Sequence, residues 1–234
     1  MYLKALSDVT TLIVELNLWQ VDAFYQHESK KQFVMALFFG AMLILLLYNL
    51  FIWFSVRERV YLYYVLAFAG IVFHHFLYRG LAEIYLLSPE MSLQIVKYAA
   101  FIVAFPVFFL ALLTKEILQL SQYPKINRFL HYTLIGFVGI TVVCFLLGLD
   151  RIRSLFPVLF LLMLFVVTLY AYIKRNRNAK FILIGWLVLV GSALFMFLDS
   201  EGYIAGMNRF PYYVEVSILT ETLLFSFILA DRLK

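Results

Sequence analysis

Charge is scarce in this 234-residue chain: 14% of its residues are Asp, Glu, Lys or Arg, where a soluble domain carries about 25%. With 65% of residues hydrophobic, a soluble fold of this length could not hide its apolar surface, so lipid must be the solvent. Cysteine is nearly absent. Cys144 stands alone inside an apolar stretch, which excludes an intrachain disulfide and leaves the thiol as a small apolar residue. No basic region followed by an apolar core opens the chain. Lys4, Asp8, Glu15, Asp22, Glu28, Lys30 and Lys31 interrupt its start, so no cleavable signal peptide is expected. If Met1 is the natural start, the first apolar span must deliver the tail outward; otherwise the chain is a piece of a longer protein.

Enzymatic signatures are also missing. There is no His-Glu-x-x-His pair, no Gly-x-Ser-x-Gly elbow and no Gly-rich phosphate loop, so no catalytic residue and no enzyme activity is expected. The histidines are His27, His74, His75 and His131, and none has a zinc-site spacing with Cys or a second His. No metal and no cofactor is expected. No lysine lies deep enough in a span for a retinal Schiff base. Internal repeats and paired Gly/Pro-broken spans, frequent in transporters, are absent. The net charge of +5 implies no nucleic-acid partner, because the basic residues cluster between apolar spans, where they set orientation.

What is present is seven apolar stretches, near 33–55, 60–80, 92–114, 129–148, 154–173, 179–199 and 212–231. Each is long enough for a bilayer core of about 30 Å. The fold class expected is an all-α membrane protein, a seven-transmembrane helix bundle. The short connections make neighbouring helices antiparallel. Placing the N-terminus outside puts Arg57, Arg59, Lys115, Lys125, Arg128, Lys174, Arg175, Arg177, Lys180, Arg232 and Lys234 in the cytoplasm. The outer connections then hold only Arg79, Lys97, Arg151, Arg153 and Arg209. The C-terminus is therefore expected to be cytoplasmic. Pro106 lies deep enough in the third span to kink it, whereas Pro157 falls in a first turn.

Residues 1–32 read as an extracytoplasmic tail and 33–234 as the membrane domain. Within Thr11 to Phe24, Leu12, Val14, Leu16 and Leu18 alternate with Glu15 and Asn17. This period-two pattern suits a strand, broken by Ile13. A lone strand is unstable, so the tail reads either as the last strand of a β domain lying outside this chain or as an amphipathic or disordered leader.

Glu221 is the outlier among the polar residues, about ten residues into the last span. A charge at that depth costs roughly 2.5–3.5 kcal/mol on insertion scales. His74, His75 and Arg79 fall in the outer half of the second span and Lys97 in the outer part of the third. With Asp199, Glu201, Arg209 and Glu215 at the same side, these residues could line an outward-facing polar cavity. Two readings stay open for them: interhelical bonds that fix packing, or a ligand pocket or polar switch coupled to helix movement. For the loop residues, packing and solvation is the preferred reading. Asn49 and Ser226, at the inner level, read first as interhelical hydrogen-bonding residues. His74 and His75 are adjacent, so they point about 100° apart and cannot easily share one metal.

Several of these residues fall in a recognisable order. Phe39-Gly40, Leu47-Tyr48-Asn49-Leu50-Phe51, Arg57-Glu58-Arg59, Tyr61-Leu62-Tyr63-Tyr64 and Gly80-Leu81-Ala82 resemble the opening of the bacterial seven-transmembrane receptors with diverse intracellular signalling modules. Glu221, Leu224, Ser226 and Leu229-Ala230-Asp231-Arg232 are similar to the closing pattern of that family. The resemblance covers Lys31 to Lys234. It implies packing roles for Gly40, Tyr48, Asn49, Tyr61, Tyr64, Ser226, Asp231 and Arg232. It also implies a receptor of the bacterial inner membrane, relaying an extracytoplasmic stimulus through the last helix to a cytoplasmic output domain. Relatives usually carry a β-rich sensing domain before the bundle and a coiled coil with a histidine kinase or diguanylate cyclase after it, so this chain is expected to hold the membrane module alone. The partners implied are the bilayer, an extracytoplasmic ligand of unknown identity, a kinase- or cyclase-type output domain or protein, and a second copy in a homodimer. The competing reading is a transporter or channel subunit using the outer polar residues as a path; a non-catalytic membrane adaptor is a third.

Overall fold

The structure is a computed structural model and describes residues 18–149, 155–200, 203 and 210–231. Nine α-helices lie in the described residues: α1 Val21–Val56, α2 Arg59–Tyr78, α3 Leu81–Tyr85, α4 Pro89–Lys97, α5 Ala99–Ile117, α6 Pro124–Leu146, α7 Leu155–Ile173, α8 Ala179–Ser200 and α9 Tyr213–Asp231. A 3-10 turn, Leu120–Gln122, precedes α6, and no strand occurs among the described residues. Six helices (α1, α2, α5, α6, α7 and α9) are long and apolar enough to cross a membrane, and α8 carries a shorter apolar stretch, Ala179–Ser192.

Short turns hold the long helices antiparallel. Arg57, in the left-handed region at φ 62°, ends α1 by donating its N–H to Trp53 O at 2.8 Å. Its guanidinium lies 5.5 Å from both the Trp53 and Phe54 ring centroids, a cation–π arrangement that fixes the turn. At the opposite end of α2, Gly80 takes φ 69°, a conformation that favours glycine, and turns the chain into α3. The loop between α7 and α8 folds under α5. Asn176 Nδ2 donates to Leu118 O at 2.8 Å and Asn178 Nδ2 to Ile117 O at 3.1 Å, satisfying carbonyls that a helix end leaves bare.

The bundle core is built on α2. This helix lies most extensively against α5, and α9 most extensively against α8. Tyr61, Tyr64, Phe68, Met42, Leu113, Trp186 and Phe225 are fully buried there. Outward faces carry exposed apolar side chains such as Phe33, Leu37, Ile44 and Phe51 on α1, which suits lipid contact. Pro106 lies inside α5, and its ring rests on Gly70 of α2. A Cβ at Gly70 would stand 2.9 Å from Phe105 Cδ1 and 3.0 Å from Pro106 Cβ.

Two stretches differ from the sequence expectation. The span expected at 92–114 is Ala99–Ile117, and the segment before it forms the separate helix α4, ended at Tyr98. The reason is amphipathicity: α4 carries Glu90 in its first turn and Lys97 in its last, and such a helix cannot be immersed in lipid along its whole circumference. In the tail, the strand reading over Thr11 to Asn17 lies outside the described residues. Val21–Phe24, however, form the first turn of α1, which continues unbroken past the boundary expected at residue 32. Here helical bonding prevails over alternation: Phe24 N–H donates to Gln20 O at 2.9 Å, an i→i−4 bond.

Candidate functional site

The last helix is held to its neighbours by buried polar groups along one side. Glu215, Thr222 and Ser226 fall on one face of α9 at helical spacing, and all are buried. Near the start of α9, the Glu215 carboxylate, 2% exposed, receives two groups from α2. His75 Nε2 lies 2.9 Å from its Oε1, and Arg79 Nε donates to the same oxygen at 2.6 Å. Arg79 Nη2 forms a further ion pair with that oxygen and donates to Pro211 O at 3.3 Å. His75 and Arg79 are four residues apart and so project from one face of α2. Phe38 of α1 packs on the His75 ring at 5.3 Å, excluding water and strengthening the pair. The carboxylate also lies in the first turn of α9, where the helix dipole favours an anion.

Farther along, the tyrosines of α2 donate to the backbone of α9: Tyr64 Oη to Thr222 O at 3.1 Å and Tyr61 Oη to Leu229 O at 3.0 Å. Asn49 of α1 donates through Nδ2 to Ser226 Oγ at 3.0 Å and to Leu45 O at 3.0 Å. As the residue number falls on α2 it rises on α9, so these helices run antiparallel. The bonds tie them from Glu215 to Leu229, about 21 Å of helix. At the end of α9, Asp231 Oδ2 lies 3.5 Å from Arg177 Nη2 in the α7–α8 loop. That exposed pair contributes little to stability, but it joins the end of α9 to the loop that caps α5.

Glu221 is completely buried, and neither of its carboxyl oxygens has a hydrogen-bond partner among the described residues. Gly185 of α8 leaves room for it: a Cβ there would stand 3.5 Å from Glu221 Cγ. The carboxyl therefore faces the bundle interior, away from the Glu215 cluster. The two adjacent histidines diverge. His75 turns inward to Glu215, while His74 lines a cavity between α2, α3, α4 and α5. Lys97 is exposed at the end of α4 and does not line that cavity. Gly40 and Tyr48 face outward on α1, with nothing within 4 Å of a Cβ at Gly40, so neither packs inside the bundle. Arg232, Glu201 and Arg209 lie outside the described residues, as does the Asp199 side chain. Among the described residues, no cluster of three His, Cys, Asp or Glu could hold a metal ion.

The sequence places Glu215 on the same outer polar side as His75 and Arg79 but does not pair it with them. The available signal was its position in the first turn of an apolar helix, opposite an i,i+4 pair of His and Arg on another. Removing the Asn49–Ser226 bond has a modest expected effect. A double-mutant cycle with Asn49→Ala and Ser226→Ala, read by SDS-driven unfolding, is expected to give a coupling of about 0.6 kcal/mol; a coupling of zero would count against the bond.

Comparison with curated proteins and with solved structures finds no match. The sequence model of the family described as 7TM diverse intracellular signalling matches residues 31–232. That span runs from the first third of α1 to just beyond α9 and takes in every bond of the network described above. With its apolar helices and this match over most of its length, the multi-pass membrane chain belongs to the 7TM diverse intracellular signalling family and is a membrane signalling receptor domain.

Proposed function

We propose that this domain relays an extracytoplasmic stimulus to a cytoplasmic output domain or partner, of kinase or cyclase type, by moving α9 against α1 and α2, and that it performs no catalytic step of its own. The observation that carries this reading is the line of bonds from Glu215 to Leu229. It fastens the helix leading to the C-terminus to two others at several levels. A displacement of α2 at His75 and Arg79 must then be shared by α9 or break those bonds. Bonds of this kind have alternative partners within one turn, which lets a packed interface switch between discrete registers. The same polar side chains are engaged with neighbouring helices rather than facing an open path, which favours a relay over transport.

The orientation proposed is N-terminus outside, with α8 as the remaining crossing and the membrane being the bacterial inner membrane. Arg57, Arg59, Lys115, Lys125, Arg128, Lys174, Arg175, Arg177 and Lys180 all gather at the end of the bundle where α9 finishes, as the positive-inside rule requires.

Spin labels test the relay. In the full chain in nanodiscs, with Cys144 replaced by Ala, labels at the exposed Val56 and Phe227 positions report the spacing of α1 and α9 at the basic end. Glu215→Gln weakens the cluster some 18 Å away along α9. It is expected to shift or broaden that distance distribution. An unchanged distribution in a folded variant would sink the relay.

A further inference from the structure

The cavity beside His74 has a chemistry of its own. It encloses about 200 Å³ between the last turns of α2, the short helices α3 and α4, and the start of α5. Leu87 and Ile102 are among the residues of its apolar wall, and His74, Tyr78, Glu83 and Ser92 supply its polar groups. Among the described lining residues, Glu83 is the one carboxylate. The His74 and Tyr78 rings lie 6.3 Å apart and nearly parallel, at 18°, so the site combines a carboxylate, two hydroxyls and two rings.

These features select a ligand. A carboxylate repels anions and attracts an ammonium, and aromatic faces add to the attraction for a cation. The apolar wall takes a compact hydrocarbon body. An apolar cavity of about 150 Å³ accommodates benzene, so this one has room for a ring of that size and a short polar arm. We propose that the cavity is a binding site for a small primary amine carrying one compact apolar group.

The site is also placed to act on the bundle. His74 is the chain neighbour of His75, whose ring meets Glu215 of α9 at 2.9 Å. An occupant pressing on the cavity face of α2 therefore loads the helix that holds the buried ion pair. That effect on α9 rests on the relay reading; binding itself does not.

Benzylamine, benzyl alcohol and benzoate are suitable probes, titrated by calorimetry against the full chain in nanodiscs, with empty nanodiscs correcting for partition into lipid. Benzylamine is expected to bind saturably, about tenfold or more tighter than benzyl alcohol, and benzoate not at all. Glu83→Gln is expected to weaken benzylamine about tenfold. Glu83 is exposed, so this variant keeps the fold. Glu90→Gln, on α4 but away from the cavity lining, is expected to leave binding unchanged. Absence of saturable benzylamine binding would overturn the site. Equal binding of the alcohol, or equal losses in the two variants, would overturn its selectivity for amines. Saturable binding that leaves the Val56–Phe227 distance unmoved would overturn the coupling to α9 while the site stands.

Discussion

Glu215→Ala is expected to destabilise the folded protein by about 3 kcal/mol, read as a shift in SDS-driven unfolding in mixed micelles. The reason is what the substitution leaves behind. Glu215 Oε1 receives both His75 and Arg79. Removing it strands the buried His75 and a guanidinium whose side chain is only 22% exposed. Breaking a buried pair from one side typically costs about 3–5 kcal/mol, because the surviving charge keeps its desolvation penalty. The lower end applies here, since Arg79 can turn toward solvent and keep its bond to Pro211 O. Removing all three groups together should cost less than Glu215→Ala alone. A triple variant with Glu215→Leu, His75→Leu and Arg79→Leu is therefore expected to recover part of the loss. If it is no more stable than Glu215→Ala, the stranded groups are not the cause.

Gly70→Val is expected to have an effect of similar size by a different route. The rigid Pro106 ring and the Phe105 side chain already fill the space over Gly70. The Phe105 ring can rotate aside, but the pyrrolidine ring is fixed to its backbone. A branched side chain must push α2 and α5 apart along the helix pair that packs most extensively among the described residues. Overpacking of this kind typically costs about 1–3 kcal/mol, and folded yield in membranes is expected to fall with it. Gly70→Ala should show the smaller version of the same effect, offset in part by the better helix propensity of Ala. Gly136→Val, at an open position on α6 with nothing within 4 Å of a Cβ, should be nearly neutral.

Helix placement was legible in the sequence because bilayer thickness fixes how long an apolar run must be. Five of the long helices, α2, α6, α7, α8 and α9, fall close to the stretches read from hydropathy, while α1 starts earlier and α5 later than read; the charged turn at Arg57-Glu58 divides α1 from α2 as the pattern implies. The inward positions of Asn49, Ser226 and Glu221 were legible too, because polar groups at membrane depth seek protein rather than lipid. Less visible was which residue each one meets. Spacing places His75 and Arg79 on one face of α2 but says nothing of the helix opposite, so Glu215 looked like a border residue. Lys97 was misplaced for a related reason. Hydropathy averages over a window, and the apolar positions of amphipathic α4 merged with the start of α5. The outward faces of Gly40 and Tyr48 could not be read either, since hydropathy looks the same whether a residue meets lipid or another helix.

The unbroken length of α1 has a mechanical consequence. Its 36 residues make a rod of about 54 Å against an apolar bilayer core of about 30 Å. The twelve residues that precede the apolar stretch starting near 33, Val21 to Gln32, account for about 18 Å of the rod. A continuous helix has no joint in which to absorb a sideways push. Moving the start of α1 by about 5 Å must swing the whole rod by roughly 10° over a lever arm of about 28 Å, or turn it about its long axis. The fulcrum lies where Phe38 and Met42 seat against the core. Leverage at the tip is thereby delivered to Asn49 on the far side of the pivot, as a motion smaller in amplitude and opposite in direction.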